Sequence, residues 1–473
     1  MRTTELCELT AVELTGRIRR GDVSAREVME QHLARIEAVN PALNAIVTLL
    51  PERALEAAGR ADEAQARGEV LGALHGLPTA HKDVMLTKGV RTTFGSPLLS
   101  EFVPSEDSLI VERMRQAGAI MVGKTNTPEF GAGSQTFNPV FGATRNPYDP
   151  TKTCGGSSGG AAVALACGML PLADGSDMGG SLRNPASFCN VVGFRPSPGR
   201  VPSVPAQVGW FPIEVPGPMA RTVADAALLL STIAGPDTRS PIALDESGGR
   251  FAQPLARDFS GTRIAWSSDL GGLPVDPSVT AVLESQRDVL AALGCGVEEA
   301  CPDFTGADEA FKAWRAWYFE LNLGGLLAAH RGQFKDTLAG NIDAGARLSG
   351  PDLGRAERRR TEVYHRLRMF METYEFLLLP VSQVPPFDLD QPWVEAIAGA
   401  PMESYVDWMR SCYYVTVTGH PAISVPAGFT PEGLPVGLQI VGRHHDDWGV
   451  LQLAYAFEQA TGWWRHRPSL EGV

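Results

Sequence analysis

Short apolar segments alternate with helix-forming segments along almost the whole chain, and this alternation constrains the fold more than any other feature. Strand candidates occur at residues 119–123, 262–269, 376–380, 421–428 and 436–442. After the second of them, residues 278–294 predict a helix, and before the third, residues 305–375 have the mixed apolar and charged composition of helices. Strands interleaved with helices predict layers of the α/β class. We expect the late strands to complete the sheet that the early strands begin.

The predicted organisation is a single domain over residues 1–473. Its four parts are a helical N-terminal part (1–70), a core with the site motifs (71–235), a variable and largely helical part on the substrate side (236–390) and a C-terminal part completing the sheet (391–473). In the first part, Thr10 with Glu13 and Ser24 with Glu27 have the spacing of capping boxes and predict two helix starts. No internal repeat or low-complexity linker interrupts the chain.

Charge and cysteine content exclude several functions. Acidic side chains outnumber Lys and Arg by 54 to 41, a net charge of −13, whereas non-specific nucleic-acid binding needs cationic side chains to displace phosphate counterions. The seven cysteines are scattered without a Cys-x-x-Cys pair, which predicts reduced thiols and a cytoplasmic location. We find neither a signal-peptide core near the N-terminus nor an apolar run of the ~20 residues that span a bilayer. We therefore expect no nucleic-acid partner and no membrane partner.

Residues 118–125, GAIMVGKT, match the P-loop pattern letter for letter. A P-loop follows a strand and opens a helix, but here the four middle residues are apolar and resemble a strand themselves. The next three residues, Asn126-Thr127-Pro128, are a poor opening for a long helix. We interpret this segment as a strand and not as a nucleotide site.

The run His444-His445-Asp446-Asp447 contains residue types that bind metals. Adjacent side chains diverge on a strand or helix, so such a run rarely chelates one ion by itself. An aspartate here is expected to cap the helix that follows. No His-Glu-x-x-His motif occurs, and we predict no metal site.

Residues 154–183 contain two glycine-serine loops that flank an apolar helix and a short strand. Glycines let a backbone approach a substrate closely, and successive amides can converge on one oxygen to form an oxyanion hole. The candidate donors are the amides of Met178, Gly179, Gly180 and Ser181. Ser181 is also a candidate nucleophile if a base removes its proton. Two alternatives remain open here: plain flexible turns, and a phosphate-binding loop for GGSSGG.

Lys82 is the candidate base, because no histidine lies in a recognisable triad context. It lies in an apolar, strand-like stretch, GLPTAHKDVML. Burial penalises the ammonium form, so a buried lysine can be neutral near physiological pH. The alternative is a surface lysine paired with Asp83, but neighbouring side chains of a strand point to opposite faces. A buried lysine together with both loops favours nucleophilic catalysis.

Six motifs resemble those of a known family, the amidase signature hydrolases. They are GLPTAHKD, GKTNTPEFGAGS, GATRNPYDP, CGGSSGG, DGSDMGGSLRNPASFCNVVGFRPSPGRV and GHPAISVPAG. The resemblance covers most of the chain and is strongest over residues 75–225 and 419–460. It implies the family's α/β fold, a mixed β-sheet flanked by helices on both sides. It also implies hydrolysis of amide carbon–nitrogen bonds without a metal or organic cofactor.

The resemblance also implies which residues are catalytic. The family's lysine, cis-serine and nucleophilic serine correspond to Lys82, Ser157 and Ser181, and the bond between Gly156 and Ser157 is expected to be cis. Neutral Lys82 would accept the proton of Ser157 while Ser157 takes that of Ser181, which attacks the amide carbonyl.

Three further residues are expected to support the site. Asp177 and Arg183 would hold the nucleophile loop, and Ser158 would support its hydrogen-bond network. The departures from the family's commonest pattern are Cys154, His81 and Met178. None of them removes a catalytic group, and Cys154 lacks the histidine partner that a cysteine nucleophile needs.

Substrate class is inferred from the predicted pocket. By resemblance, the residues near the oxyanion hole are Phe130, Gly131, Ala132 and Gly133. The last three are small and leave room for a bulky group of the substrate. The variable part adds four aromatic residues, Trp314, Trp317, Tyr318 and Phe319, which either face an aryl substrate or belong to the core. We expect small aryl or alkyl amides as substrates, with carbamates and esters as side substrates.

The leading alternative is the glutaminase subunit of a tRNA-dependent amidotransferase. That subunit typically has an asparagine before its PAISVP segment, where this chain has Thr416. A glutamine substrate needs an acidic partner for its α-amino group, and Asp407 is the one candidate that we find for this role. A non-catalytic binding protein of the same fold is the alternative from another class, and it would be favoured by the loss of a catalytic residue. The expected partner is a small-molecule amide, and a homodimer is left open.

Overall fold

The computed structural model describes residues 5–470, so the first four residues of the N-terminal segment considered above lie outside it. The strands in chain order are β1 (Ile46–Leu49), β2 (Pro78–Lys82), β3 (Ile120–Thr125), β4 (Phe137–Asn138), β5 (Gly142–Ala143), β6 (Leu172–Asp177), β7 (Val192–Arg195), β8 (Val215–Ala220), β9 (Arg263–Trp266), β10 (Gly296–Glu299), β11 (Phe376–Pro380), β12 (Ala396–Ile397), β13 (Ala400–Pro401), β14 (Ala422–Phe429) and β15 (Pro435–Gly442).

The helices in chain order are α1 (Glu5–Glu8), α2 (Ala11–Arg20), α3 (Ala25–Leu43), α4 (Pro51–Ala66), α5 (Leu109–Gln116), α6 (Gly159–Ala166), α7 (Arg183–Phe188), α8 (Val223–Ile233), α9 (Pro277–Glu284), α10 (Arg287–Ala292), α11 (Ala307–His330), α12 (Asp336–Ala346), α13 (Gly350–Thr373), α14 (Arg410–Thr418) and α15 (Asp447–Thr461). Short 3-10 turns lie at Pro97–Leu99, Glu129–Gly131, Gly248–Ala252, Arg331–Gln333, Asp407–Met409 and Trp463–Arg465.

One mixed sheet of eleven strands organises the molecule, in the order β1-β3-β2-β6-β8-β7-β14-β15-β11-β9-β10. The strand β2 is parallel to both of its neighbours, β3 and β6. The late strand β14 pairs antiparallel with β7 from the early part of the chain. Segments far apart in sequence therefore share one sheet, and β2 and β6 lie side by side within it.

Both faces of this sheet are packed. Leu377 and Leu379 of β11 belong to one buried apolar cluster, whereas Phe376 and Leu378 belong to a second. Neighbouring side chains of a strand point to opposite faces, so the two clusters are the cores on the two sides of the sheet. The first includes side chains of α3, α6, α7 and α14, and the second those of α2, α5, α8 and α15. The predicted α/β sheet with helices on both sides is confirmed.

Local signals at helix starts are also confirmed. Thr10 and Ser24 each accept a hydrogen bond from the backbone of the glutamate three residues on, and both capping boxes are complete. Asp446 caps α15 by accepting from the Gly449 amide. One helix expected over residues 278–294 is instead two, α9 and α10, separated at Ser285, whose hydroxyl donates to the Val282 carbonyl.

Two further expectations concern binding motifs. The P-loop-like residues 118–125 contain β3, whose backbone is engaged in sheet pairing with β1 and β2. Its amides are therefore not available to wrap a phosphate. Within the described chain, no group of three or more His, Cys, Asp or Glu side chains has the geometry to hold a metal ion. None of the helices in that part of the chain is long and apolar enough to cross a membrane.

Candidate active site

Lys82 is the last residue of β2, a strand that is buried along its whole length. Its backbone amide donates to Asp174 Oδ1 of the neighbouring β6 at 2.8 Å, which fixes the strand end. The side chain is completely buried. The sheet thus places a lysine in its interior, where a charged ammonium is poorly solvated.

The Lys82 ammonium nitrogen lies within hydrogen-bond distance of two serines. Nζ is 2.6 Å from Ser157 Oγ and 3.2 Å from Ser176 Oγ. Burial lowers the pKa of Lys82 to about 8, although Glu214, Asp177 and Asp174 each favour the charged form. A minor neutral fraction therefore exists at neutral pH and increases above it, and a neutral amine can accept the serine proton.

Ser157 lies in the turn that leads into α6. The peptide bond between Gly156 and Ser157 is cis, as the resemblance implied. The Ser134 hydroxyl donates to the Gly156 carbonyl at 2.7 Å, and the Thr136 hydroxyl donates to the Gly155 carbonyl at 2.9 Å. A neighbouring loop therefore fixes the backbone on which Ser157 is presented to Lys82.

Ser181 lies between β6 and α7 and is half-buried. It lines a cavity of about 620 Å³, and Ser157 and Ser176 line the same cavity. In the described chain the hydroxyls of Ser157 and Ser181 share no hydrogen bond. Both hydroxyls lie at the same cavity. Catalytic hydrogen bonds commonly tighten only when the substrate is bound, so this arrangement is compatible with a proton relay between them.

A buried charge cluster anchors the Ser181 loop. Asp177 accepts from Arg183 at 2.9 and 3.0 Å and lies 3.4 Å from Arg195. Burial alone would raise the pKa of Asp177, but the two guanidinium groups outweigh it and hold that pKa far below its usual value. Arg183 also donates to Thr416, the residue at the amidotransferase asparagine position, at 2.8 Å. The loop is thereby tied to α14.

The predicted oxyanion donors divide into two groups. The amides of Met178, Gly179 and Ser181 have no partner within the described residues, and these residues line the cavity. The Gly180 amide instead donates to Asp177 Oδ1 at 2.9 Å. Its expected role as a donor is therefore wrong in this structure, because the loop anchor already uses it.

The role of Ser158 differs from the expectation, whereas Cys154 agrees with the expectation that it is not the nucleophile. The Ser158 hydroxyl is buried without a hydrogen-bond partner among the residues described, and it is the Ser158 amide that donates to the Ser181 carbonyl, at 3.1 Å. Its contribution to the site is thus through the backbone. The Cys154 thiol is also buried, which raises its pKa to about 12. It stays protonated near neutral pH and is a poor nucleophile.

Three of the four predicted pocket residues line the cavity: Phe130, Gly131 and Gly133. Ala132 does not, because it is buried in an apolar cluster with α11 and α12. Its carbonyl accepts a hydrogen bond from the Lys335 side chain. Ala132 therefore supports the cavity wall from behind.

The four predicted aromatic residues of α11 differ in whether they line the cavity. Tyr318 and Phe319 line the cavity. Trp314 and Trp317 lie outside its lining and pack edge to face against each other, with ring centroids 5.2 Å apart, and against Phe211. Both are half-buried, and Trp314 packs against the first apolar cluster. Neither tryptophan lines the cavity.

Sequence reasoning missed the carboxylate of Glu214, which lines the cavity beside the serines. Asp407, the acid considered from the sequence, is buried and bound by Lys312 and Arg410 at 2.7 and 3.2 Å. Glu214 directly precedes Val215, which pairs with Asp177 across β8 and β6. Its position follows from antiparallel pairing, which no local motif signals. Sequence reasoning also missed Ser176, which lies on β6. Alternate residues of a strand face the same side, and this alternation is the signal that was available.

A buried lysine hydrogen-bonded to a serine hydroxyl, beside a second serine and unpaired backbone amides, is typical of hydrolases that activate a nucleophile without histidine. A family model described as Amidase matches residues 27–451. The chain belongs to this amidase family and is a hydrolase that acts on amides.

The individual relatives cover nearly the whole chain. An acylamidase of Rhodococcus erythropolis is 36% identical over 98% of this chain and 97% of its own length. A glutamyl-tRNA(Gln) amidotransferase subunit of Synechococcus sp. (strain CC9605) is 37% identical over 95% of each chain. The crystal structure of a bacterial aryl acylamidase is 31% identical, with a TM-score of 0.91 over 96% of each chain. Similarity alone therefore does not choose between an acylamidase and an amidotransferase component.

Proposed function

We propose that the chain hydrolyses small aryl or alkyl amides to an acid and an amine through an acyl-enzyme on Ser181. The observation that carries this proposal is the 2.6 Å contact between the buried Lys82 amine and Ser157 Oγ, at the cavity that Ser181 lines. A base, a proton relay and a second hydroxyl are the parts that nucleophilic acyl transfer needs.

In this mechanism neutral Lys82 accepts the proton of Ser157, and Ser157 takes the proton of Ser181. Ser181 Oγ attacks the amide carbonyl carbon, and the amides of Met178, Gly179 and Ser181 stabilise the developing oxyanion. Ser157 then donates a proton to the departing amine nitrogen. Water releases the acid by the reverse proton path, which restores the Ser181 hydroxyl.

The shape of the cavity supports an aryl or alkyl substrate. A volume of about 620 Å³ accommodates a small molecule. A methyl group at Gly131 would lie 3.8 Å from Ser157 Oγ, so the glycine leaves space close to the catalytic hydroxyls. The aromatic wall residues are Phe94, Phe130, Phe311, Tyr318 and Phe319. Aryl carbamates and esters would reach the same nucleophile as side substrates.

The amidotransferase function is the second candidate, because a relative of that description is 37% identical. Initial rates on an acetanilide, a short aliphatic amide, a phenylcarbamate and glutamine at equal concentration distinguish the two. We expect the anilide or aliphatic amide to be fastest and glutamine slowest, and Ser181→Ala to abolish every rate. If glutamine is the fastest of the four, the amidotransferase function replaces this one.

We also propose a cytoplasmic location and a single domain. All seven cysteines are free thiols, and six of them are buried, which suits a reducing compartment. The pairing of β14 with β7 joins late and early parts of the chain in one sheet, which supports residues 1–473 as one unit.

A further inference from the structure

A carboxylate stands in the substrate cavity without a cationic partner among the described residues. Glu214 lines the cavity together with Ser157, Ser176 and Ser181. Within residues 5–470, its only hydrogen-bond partner is the Tyr318 hydroxyl, which donates to Oε2 at 3.1 Å. Asp177 and Asp407 differ from Glu214, since each of them is held by two cationic side chains. Glu214 therefore remains available to a cation that enters the cavity.

The other charges of the cavity wall do not neutralise Glu214. They belong to Glu106, a second carboxylate, and Arg315. The Arg315 guanidinium is already hydrogen-bonded to Asn341 and lies over the Phe319 ring, 4.6 Å from its centroid. Lys82 interacts electrostatically with Glu214, but it is neutral in the reactive form of the proposed mechanism. In that form the wall has an excess of negative charge, and a cationic ligand would be favoured over a neutral one.

The surroundings of Glu214 are suited to an organic cation. The Tyr318 ring stacks on Phe211 with centroids 4.5 Å apart, so the hydroxyl that holds the carboxylate is itself held in place. Phe311 also lines the cavity, and aromatic rings attract ammonium groups through their quadrupoles. A carboxylate beside aromatic rings is a common arrangement for recognising a protonated amine.

We propose that Glu214, held by Tyr318, binds a protonated amine of the substrate, so that the preferred substrates are amides that also carry an ammonium group. This inference rests on the proposed function and names the substrate class of the same cavity. Glu214 takes no part in bond making in this account. It is a specificity-determining residue that places the amide relative to Ser181.

Two isosteric substrate pairs test the proposal, one for each side of the amide bond. The first compares 4-aminobutyryl and pentanoyl 4-nitroanilide, in which an ammonium replaces a methyl group. The second compares acetanilides with a 4-aminomethyl or a 4-ethyl substituent. The value of kcat/KM is measured for each at one pH for the wild type, Glu214→Gln, Tyr318→Phe and a control, Glu309→Gln. Glu309 lies on the same helix as Tyr318, but it faces solvent and pairs with Arg359.

We expect the wild type to favour the charged member of at least one pair by about 10- to 100-fold, as polar recognition in a partly enclosed site allows. Glu214→Gln should remove that preference, measured as the ratio of kcat/KM between the two members of a pair, and Tyr318→Phe should reduce it. The ratio is the readout because Glu214 also favours the charged form of Lys82, so its loss changes the rate on both members alike. Glu309→Gln should retain it. Circular dichroism confirms that each variant is folded.

Two results would overturn the proposal: no preference for the charged member of either pair, or an equal loss on both members in Glu214→Gln. Hydrolysis of the neutral anilides that depends on Ser181 would still stand in either case. Failure of this inference is thus separate from failure of the proposed function, which Ser181→Ala tests.

Discussion

At the scale of single residues, the pKa of Lys82 governs the chemistry. Burial lowers that pKa to about 8, and the charged groups that oppose the shift are Glu214, Asp177 and Asp174. Only the neutral amine can accept the Ser157 proton. The neutral form of Lys82 is scarce below this pKa and predominates above it, so activity should increase with pH. Because the pKa is lowered, this increase falls near neutral pH.

We therefore predict that kcat/KM on an anilide rises with pH through about 8 and levels off above it. Lys82→Arg should lose roughly 10²- to 10⁴-fold, the usual contribution of a general base, because guanidinium does not deprotonate in this range. Lys88→Arg, at an exposed lysine on the following loop, is the matched control and should keep the wild-type profile. A flat profile, or a fully active Lys82→Arg, would place the base elsewhere.

The candidate site was predictable from sequence only where a motif carries it. Lys82, Ser157 and Ser181 lie in distinctive local patterns, and the resemblance related them to one another. Glu214 has no such pattern, because its place in the cavity depends on the pairing of β8 with β6. Gly180 was assigned as a donor because a sequence cannot show that its amide is taken by a neighbouring carboxylate.

At the scale of elements, the loop after β6 depends on a buried ion cluster. Asp177 compensates Arg183 and Arg195, and all three side chains are fully buried. The same carboxylate accepts from the Gly180 and Leu182 amides on either side of Ser181. The loop that carries the nucleophile is thus held by charge as well as by backbone hydrogen bonds.

Asp177→Asn should lower the free energy of unfolding by about 3–5 kcal/mol, because breaking a buried pair leaves two guanidinium charges undercompensated. Asp22→Asn, at an exposed ion pair with Arg20, is the matched control and should cost at most about 1 kcal/mol. Urea unfolding at pH 7 measures both. Equal, small losses in the two variants would show that the cluster does not hold the loop.

The helices and strands could be predicted from the sequence where their apolar residues form a clear pattern. The strands β11 and β15 are predominantly apolar because both faces are packed, and they stand out in the sequence. The edge strand β10 was missed because its side chains are largely exposed and give no apolar alternation. The break between α9 and α10 was missed because serine is compatible with a continuous helix.

At the scale of the whole molecule, the order of strands decides which residues meet. The neighbours β2 and β6 bring Lys82 and Ser176 together, and the turn before α6 adds Ser157 from a third segment. Strand order depends on pairing between distant segments, which composition and periodicity do not determine. The family resemblance was the only route from the sequence to that arrangement.

The most direct test of the account is covalent labelling of the intact enzyme with a fluorophosphonate, followed by mass spectrometry of its peptides. The reagent is attacked by an activated serine and leaves a stable adduct. Ser181 is the nucleophile in this account and is activated through Ser157 and Lys82. We predict one adduct, on the peptide that contains Ser181, and none in Ser181→Ala. Labelling of Ser158 or Cys154 in its place, with Ser181→Ala still hydrolysing amides, would contradict the account.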